Sequence, residues 1–228
     1  MKYNHVVSFG DSFTWGTDLS DCTQTWPHGY SKLTWPALLA EHIGAAYTCR
    51  ALGGASNSYI LRSLIKRLPL LDSNTLVILN WTYIDRWEFF NSGSKEWETL
   101  RPSGTENHKF FDCYFKNLHS QYWNIYESLK NILFAHELLK NRNVKFISTC
   151  LDTQIINEEF VNDYFDYNNK SLDVRTIISL VKDDLSWFNN HGFVDWANTH
   201  NFPLGKTKHP LEEAHQAAFE YIKHELNI

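Results

Sequence analysis

The sequence predicts an α/β fold in which a parallel sheet carries helices on both faces. Short apolar runs alternate with helix-period stretches along the 228 residues, the pattern of strand–helix–strand units. The run at 75–82 (TLVILNWT) is apolar on both faces, as a strand inside a parallel sheet must be. Ser12, Gly54 and Thr82 each fall just past the end of a predicted strand. In such sheets ligands bind beyond the carboxyl ends of the strands, so these three positions should gather at one rim.

Taken in order, residues 5–9 (HVVSF) form the first strand, and Gly10-Asp11-Ser12 its turn. A glycine at position 10 would let the backbone turn tightly. A polar loop containing Gly16, Pro27 and Gly29 leads to Thr34-Trp35-Pro36, which opens a helix that Gly44 closes; proline in the first turn and glycine past the last are helix punctuation. Residues 46–52 read as the second strand, broken by Gly53-Gly54. Ser56 or Asn57 caps the next helix, whose apolar positions Ile60, Leu61, Leu64, Ile65 and Leu68 share one face before Pro69 ends it. After the third strand, 83–118 is rich in aromatics, charge, glycine and proline, and reads as an insertion or lid. Helix returns at 119–141, a fourth strand at 144–151, an irregular acidic stretch at 152–173, helix at 174–188 and a last amphipathic helix at 211–226.

The length suits one domain spanning 1–228. Hydrophobic residues make up 43% and charged ones 21%, enough for a core and unlike a disordered chain. A net charge of −5 with no lysine–arginine run argues against a nucleic-acid partner. No membrane-length apolar run and no leader-like N-terminus are present, so a cytoplasmic setting is expected; export without a leader, or incorporation into a virus particle, stays open. Four widely spaced cysteines form no CxxC pair, which disfavours structural zinc and a disulfide framework. The 9 Trp, 11 Tyr and 15 Phe suit either core packing or a pocket that stacks on a sugar.

Chemistry concentrates in Phe9-Gly10-Asp11-Ser12-Phe13-Thr14-Trp15-Gly16. A strand-to-helix turn exposes a serine and frees backbone N–H groups to bind an oxyanion, but the hydroxyl attacks only when a base takes its proton. The same residues also serve as a plain capped turn. This string, with Gly54-Ala55-Ser56-Asn57 after the second strand and His209-Pro210-Leu211-Glu212-Glu213-Ala214-His215 before the last helix, resembles the blocks of SGNH (GDSL-type) hydrolases in their order along the chain. The resemblance implies a three-layer α/β/α, flavodoxin-like sheet, Ser12 as nucleophile and His209 as base. It also implies oxyanion donors from the Ser12 N–H, Gly54 and a third-block asparagine. The HPLEEAH ending looks like SGNH-type proteins of bacteriophage genomes.

Two positions depart from the pattern. The third block, usually Gly-x-Asn-Asp, reads Asn80-Trp81-Thr82-Tyr83, so Thr82 holds the asparagine position and Asn80 the glycine position. Either side chain offers a substitute donor; losing one donor costs about 3 kcal/mol of transition-state stabilisation. The acid usually three residues before the histidine is Lys206. Asp195 is the candidate replacement, the alternative being a backbone carbonyl. His215 is a second candidate base or a pocket residue, although loop placement favours His209. Asp11, Asn57, Trp81 and Arg86 are candidate pocket residues. Asp11 has a structural role as its main reading, and Arg86 either binds a substrate anion or pairs with Asp85 or Glu88. No metal site or cofactor is expected.

The functional expectation is an esterase or deacylase acting on a small-molecule or carbohydrate ester, O-acetyl groups included. A weakened SGNH fold that binds a ligand or partner without turnover is the alternative. A flavodoxin-like anion binder ranks last, for want of a glycine-rich loop with lysine.

Overall fold

The computed structural model describes residues 3–23, 29–102, 109–156 and 172–226. Pro27, Gly104 and most of the acidic stretch expected at 152–173 lie outside them.

Four parallel strands make the central sheet: β1 (His5–Phe9), β2 (Ala46–Cys49), β3 (Thr75–Trp81) and, after the insertion, β6 (Lys145–Cys150), in the spatial order β2-β1-β3-β6. The sequence-predicted strands are all present, the first at its predicted bounds and the other three trimmed at their ends. β3 is buried along its whole length, which is why its sequence is apolar on both faces. A parallel bridge between Ser148 and Leu185 extends the β6 edge, where a helix to residue 188 had been predicted.

Helices connect and cover the strands. α1 (Ser12–Trp15) follows β1, α2 (Trp35–His42) precedes β2, and α3 (Asn57–Arg67) lies between β2 and β3. Ser56, not Asn57, caps α3, accepting from the Tyr59 N–H at 3.0 Å. Within 83–118 the chain forms an antiparallel hairpin, β4 (Trp87–Asn91) with β5 (Glu96–Leu100), then a short helix α4 (Lys109–Cys113) running into a π-turn. Trp87 stacks on Tyr114 with ring centroids 4.6 Å apart, which ties hairpin to turn. α5 (Gln121–Asn141) leads to β6, and α6 (Leu172–Val181), α7 (Phe193–Thr199) and α8 (Glu212–Leu226) complete the chain. α7 falls where no helix was predicted; at seven residues it is too short to show a clear period.

Strand alternation sorts the core into two layers. Val7, Phe9, Val77 and Leu79 pack against Ile60 and Leu64 of α3, Ile125, Leu129 and Ile132 of α5, and Val174 and Ile178 of α6. Val6, Leu76 and Ile78 face the other way, onto Trp35 and Leu39 of α2, Phe193 and Trp196 of α7, and Ala214, Ala218 and Ile222 of α8. This is the expected three-layer α/β/α sandwich with a parallel sheet. Among the described residues no helix is long and apolar enough to cross a membrane.

Candidate active site

The turn after β1 is built by Asp11. Its Oδ1 accepts the Phe13 N–H at 3.1 Å, capping α1. Its Oδ2 accepts from Thr82 Oγ1 at 2.9 Å and Arg86 Nη1 at 2.7 Å. The carboxylate thus fastens the Ser12 turn to the segment after β3. Gly10 is needed for a reason other than a tight turn: a β-carbon there would lie 2.1 Å from Thr14 Oγ1. Close packing by α1, not turn geometry, excludes a side chain.

Ser12 stands at the start of α1, half-buried. His209 Nε2 lies 2.8 Å from its Oγ, across 197 residues of sequence. Phe13 packs against the imidazole with centroids 4.4 Å apart. Burial, opposed by Asp11 and Asp18, holds the His209 pKa below its ordinary value, so the ring is neutral at pH 7 and able to accept a proton.

Behind the imidazole stands an arrangement the sequence did not reveal. His209 Nδ1 is 2.7 Å from the Thr207 hydroxyl. That hydroxyl donates to Asp18 Oδ2 at 2.7 Å, and the Thr207 N–H donates to the same oxygen at 2.7 Å. With its one proton on Asp18, the Thr207 oxygen can only accept from His209, so the proton sits on Nδ1 and the Nε2 lone pair faces Ser12. Asp18 Oδ2 itself is 3.7 Å from Nδ1. Burial would raise the Asp18 pKa, but the two Thr207 bonds and His209 outweigh it and hold the carboxyl below its ordinary value. Asp18 reaches this position with a left-handed φ of 72°, a conformation that costs energy for a non-glycine residue and clusters at functional sites. Gly205 makes room for it: a β-carbon there would sit 2.4 Å from the Asp18 Cβ.

The carboxylate beside His209 is therefore Asp18 and not Asp195. Asp195 lies in the first turn of α7 and accepts the Thr153 N–H at 3.3 Å, tying that helix to the loop after β6. Lys206 is exposed.

Other expectations are corrected by bonding already in place. Thr82 spends its hydroxyl proton on Asp11. Asn80, 1% exposed, donates to Thr14 Oγ1 and accepts from Thr149 Oγ1, each at 2.9 Å, so it braces the sheet end. Asn57 clamps the Thr82 backbone, accepting from its N–H at 2.8 Å and donating to its carbonyl at 3.1 Å, and its second amide proton goes to Ser128 Oγ at 3.0 Å. Trp81 is fully buried, its Nε1–H on Ser148 Oγ at 2.8 Å. Arg86 pairs with Asp11 rather than Asp85 or Glu88, and also donates to the Ala55 carbonyl at 3.0 Å; Glu88 pairs with Arg62 at 2.6 Å. Gly54 keeps its place after β2, at a φ of +76°. Arg101, from just beyond β5, lies against it: its Nη1 is 2.4 Å from where a Gly54 β-carbon would be. Sequence reading gave no signal for Arg101.

His215 is 2% exposed inside α8, its Nδ1 accepting the Trp35 N–H at 3.3 Å and its ring packed on Phe193. Burial pushes its pKa down to about 3. Below pH 6.5 the unfolded chain binds a proton that the native residue refuses, so stability falls as pH drops through that window. At pH 4 this one group costs about 3 kcal/mol. His136, buried and pushed down to about 4, acts in the same direction, while Asp152, raised to about 6 by burial and Asp195, acts in the opposite one. His215→Asn, which keeps an acceptor for Trp35, should therefore lose about 3 kcal/mol less than wild type between pH 7 and pH 4. Urea titrations of both chains at the two pH values measure the difference, in which the unchanged His136 and Asp152 cancel. Equal losses would contradict a buried, neutral His215.

Fold and side-chain geometry together define a class: a three-layer α/β/α protein with a serine–histidine pair at the carboxyl end of its parallel sheet. The sequence matches no protein-family model and none of the curated proteins. Solved structures do match. An acetylxylan esterase from Geobacillus stearothermophilus, solved as a catalytic mutant, is 11% identical with a TM-score of 0.51, over 100% of this chain and 97% of that one. A carbohydrate esterase family 2 enzyme from Corynascus thermopiles is 14% identical with a TM-score of 0.53, over 97% of this chain and 65% of that one. An acetyl xylan esterase from Butyrivibrio proteoclasticus is 14% identical with a TM-score of 0.51, over 99% of this chain and 64% of that one. At these identities the likeness establishes the shared fold.

Proposed function

We propose that the chain is a serine ester hydrolase, a single domain over 1–228 with an insertion at 83–118. The carrying observation is the 2.8 Å contact between His209 Nε2 and Ser12 Oγ, with the tautomer set from behind by Thr207. Ser12 Oγ attacks the ester carbonyl carbon while His209 takes its proton. The Ser12 and Gly54 N–H groups bind the oxyanion. The guanidinium of Arg101 supplies positive charge beside Gly54, in place of the Thr82 and Asn80 side chains that are bonded elsewhere. His209 then gives the proton to the leaving alcohol, and water, activated by the same imidazole, hydrolyses the acyl-enzyme. No cofactor enters this scheme. Asp18 acts as a positioning residue through Thr207.

An O-acetyl group on a carbohydrate is the proposed substrate class. The fold shared with acetylxylan esterases supports it by analogy, and so does the aromatic hairpin, whose Phe90 and Trp97 are half exposed.

A fluorophosphonate probe tests the assignment. Labelling is expected at Ser12 in wild type and absent in Ser12→Ala. In His209→Ala it should slow by about 10²–10⁴-fold, the contribution of a positioned base. His215→Asn should label like wild type. Labelling that ignores Ser12, or none at all, sinks the reading in favour of a binding protein without turnover.

A further inference from the structure

A second concave site, separate from Ser12, lies at the outer edge of the sheet. Its cavity of about 260 Å³ is an open cleft bordered by the end of β2 and by α3, and is lined by Arg50, Tyr59, Arg62, Ser63, Lys66 and Arg67 among others. Four cations thus converge on one small space in a chain whose net charge is −5. None of Ser12, Asp18, Thr207 or His209 lines it.

Ordinary structural duties account for only part of this cluster. Arg62 pairs with Glu88 at 2.6 Å and lies over the Trp97 ring at 4.5 Å. Lys66 and Arg67 occupy the last turn of α3, where cations complement the helix dipole. Neither duty explains Arg50, nor the fact that the Nε atoms of Arg50, Arg62 and Arg67 are all buried without a hydrogen-bond partner. Among the described residues, the side chains of Arg50, Lys66 and Arg67 have no ion-pair partner. Buried donors without acceptors are costly, and costlier when charged. These Nε atoms are shut off from the cavity itself, so what the arginines offer a ligand there is charge and their outer guanidinium nitrogens; four cations around one space, three of them without an ion-pair partner among the described residues, favour an anion with several acceptor oxygens.

From this arrangement we propose that the cavity binds a phosphate-class oxyanion, a phosphate or pyrophosphate group, either free or as part of a small ester. Guanidinium forks match tetrahedral oxyanions in geometry and charge. The Tyr59 and Ser63 hydroxyls add neutral donors. The volume is below the roughly 300–1,000 Å³ of drug-sized ligand pockets, which fits a compact dianion rather than a large organic ligand.

Calorimetric titration of the full chain with pyrophosphate and, separately, inorganic phosphate tests this, with sodium chloride matching the ionic strength. One saturable site is expected, and pyrophosphate should raise the melting temperature. Arg67→Gln and Arg50→Gln should each weaken binding by about tenfold or more, the loss of one charge-assisted contact. The exposed Lys66→Gln, which leaves all three guanidinium groups intact, should weaken it by a smaller factor. In ligand-free buffer the variants should melt at or above the wild-type temperature, because an unpaired cation has been removed; a merely structural role predicts a fall. No saturable binding in wild type, or equal binding in wild type and all three variants, overturns the proposal. Ser12 labelling is unaffected by either result, so the ester-hydrolase reading stands or falls separately.

Discussion

Replacing Asp18 by asparagine is expected to lower kcat by about 10²–10⁴-fold, the scale set by the wrong tautomer in a serine–histidine–acid triad. The reason lies in one hydroxyl proton. In wild type Asp18 only accepts, so the Thr207 proton points at it and the Thr207 oxygen receives Nδ1–H. An asparagine amide can donate to that oxygen instead. The hydroxyl then turns towards Nδ1, the ring proton moves to Nε2, and Ser12 meets a donor where it needs a base. Thr207→Val should also fall, by removing the bridge while leaving the carboxylate, and Thr207→Ser should recover most activity. A pH profile separates this role from a packing defect. Asp18 is among the groups that raise the His209 pKa against burial, so losing its charge should move the acid limb of kcat/KM to lower pH. A wild-type rate with an unmoved profile in Asp18→Asn would show that the carboxylate does not orient the base.

This bridge also marks where the sequence stopped being informative. Ser12, Gly54 and His209 were legible because each sits in a short local string at a strand end or before a helix, and strand–helix alternation fixed which ends come together. Asp18 and Thr207 are 189 residues apart, and nothing local to either marks them as partners. Searching for a carboxylate in the C-terminal block led to Asp195, which serves α7 instead. The same limit applies to Thr82, Asn80 and Asn57. Thr82 and Asn80 looked like free donors and Asn57 like a helix cap or pocket residue, and only their partners revealed that their polar groups were already committed. The β4–β5 hairpin was legible in principle. Asn91-Ser92-Gly93-Ser94 is a turn cluster between aromatic-rich runs, masked by the charges that surround it.

The largest stability effect should come from Arg86. Sequence alone left it between a substrate-binding cation and a surface ion pair. In the fold its side chain is 12% exposed and pairs with an Asp11 carboxylate that is fully buried. Removing one partner of a buried pair leaves an uncompensated charge, at a cost of about 3–5 kcal/mol. Arg86→Met should lose that amount, read as a lower urea midpoint with unchanged slope. Thr82 Oγ1 and the Phe13 N–H still donate to Asp11, which places the expected loss towards the lower end. The double variant Asp11→Asn, Arg86→Met should recover much of it, because the stranded charge is gone; the cycle isolates the coupling. A substrate-binding arginine predicts another pattern: a raised KM, an unchanged midpoint and no coupling to Asp11. Since Asp11 caps the helix that carries Ser12, the ion-pair reading further requires that Arg86→Met slow Ser12 labelling in step with its loss of stability, whatever acyl group the substrate bears.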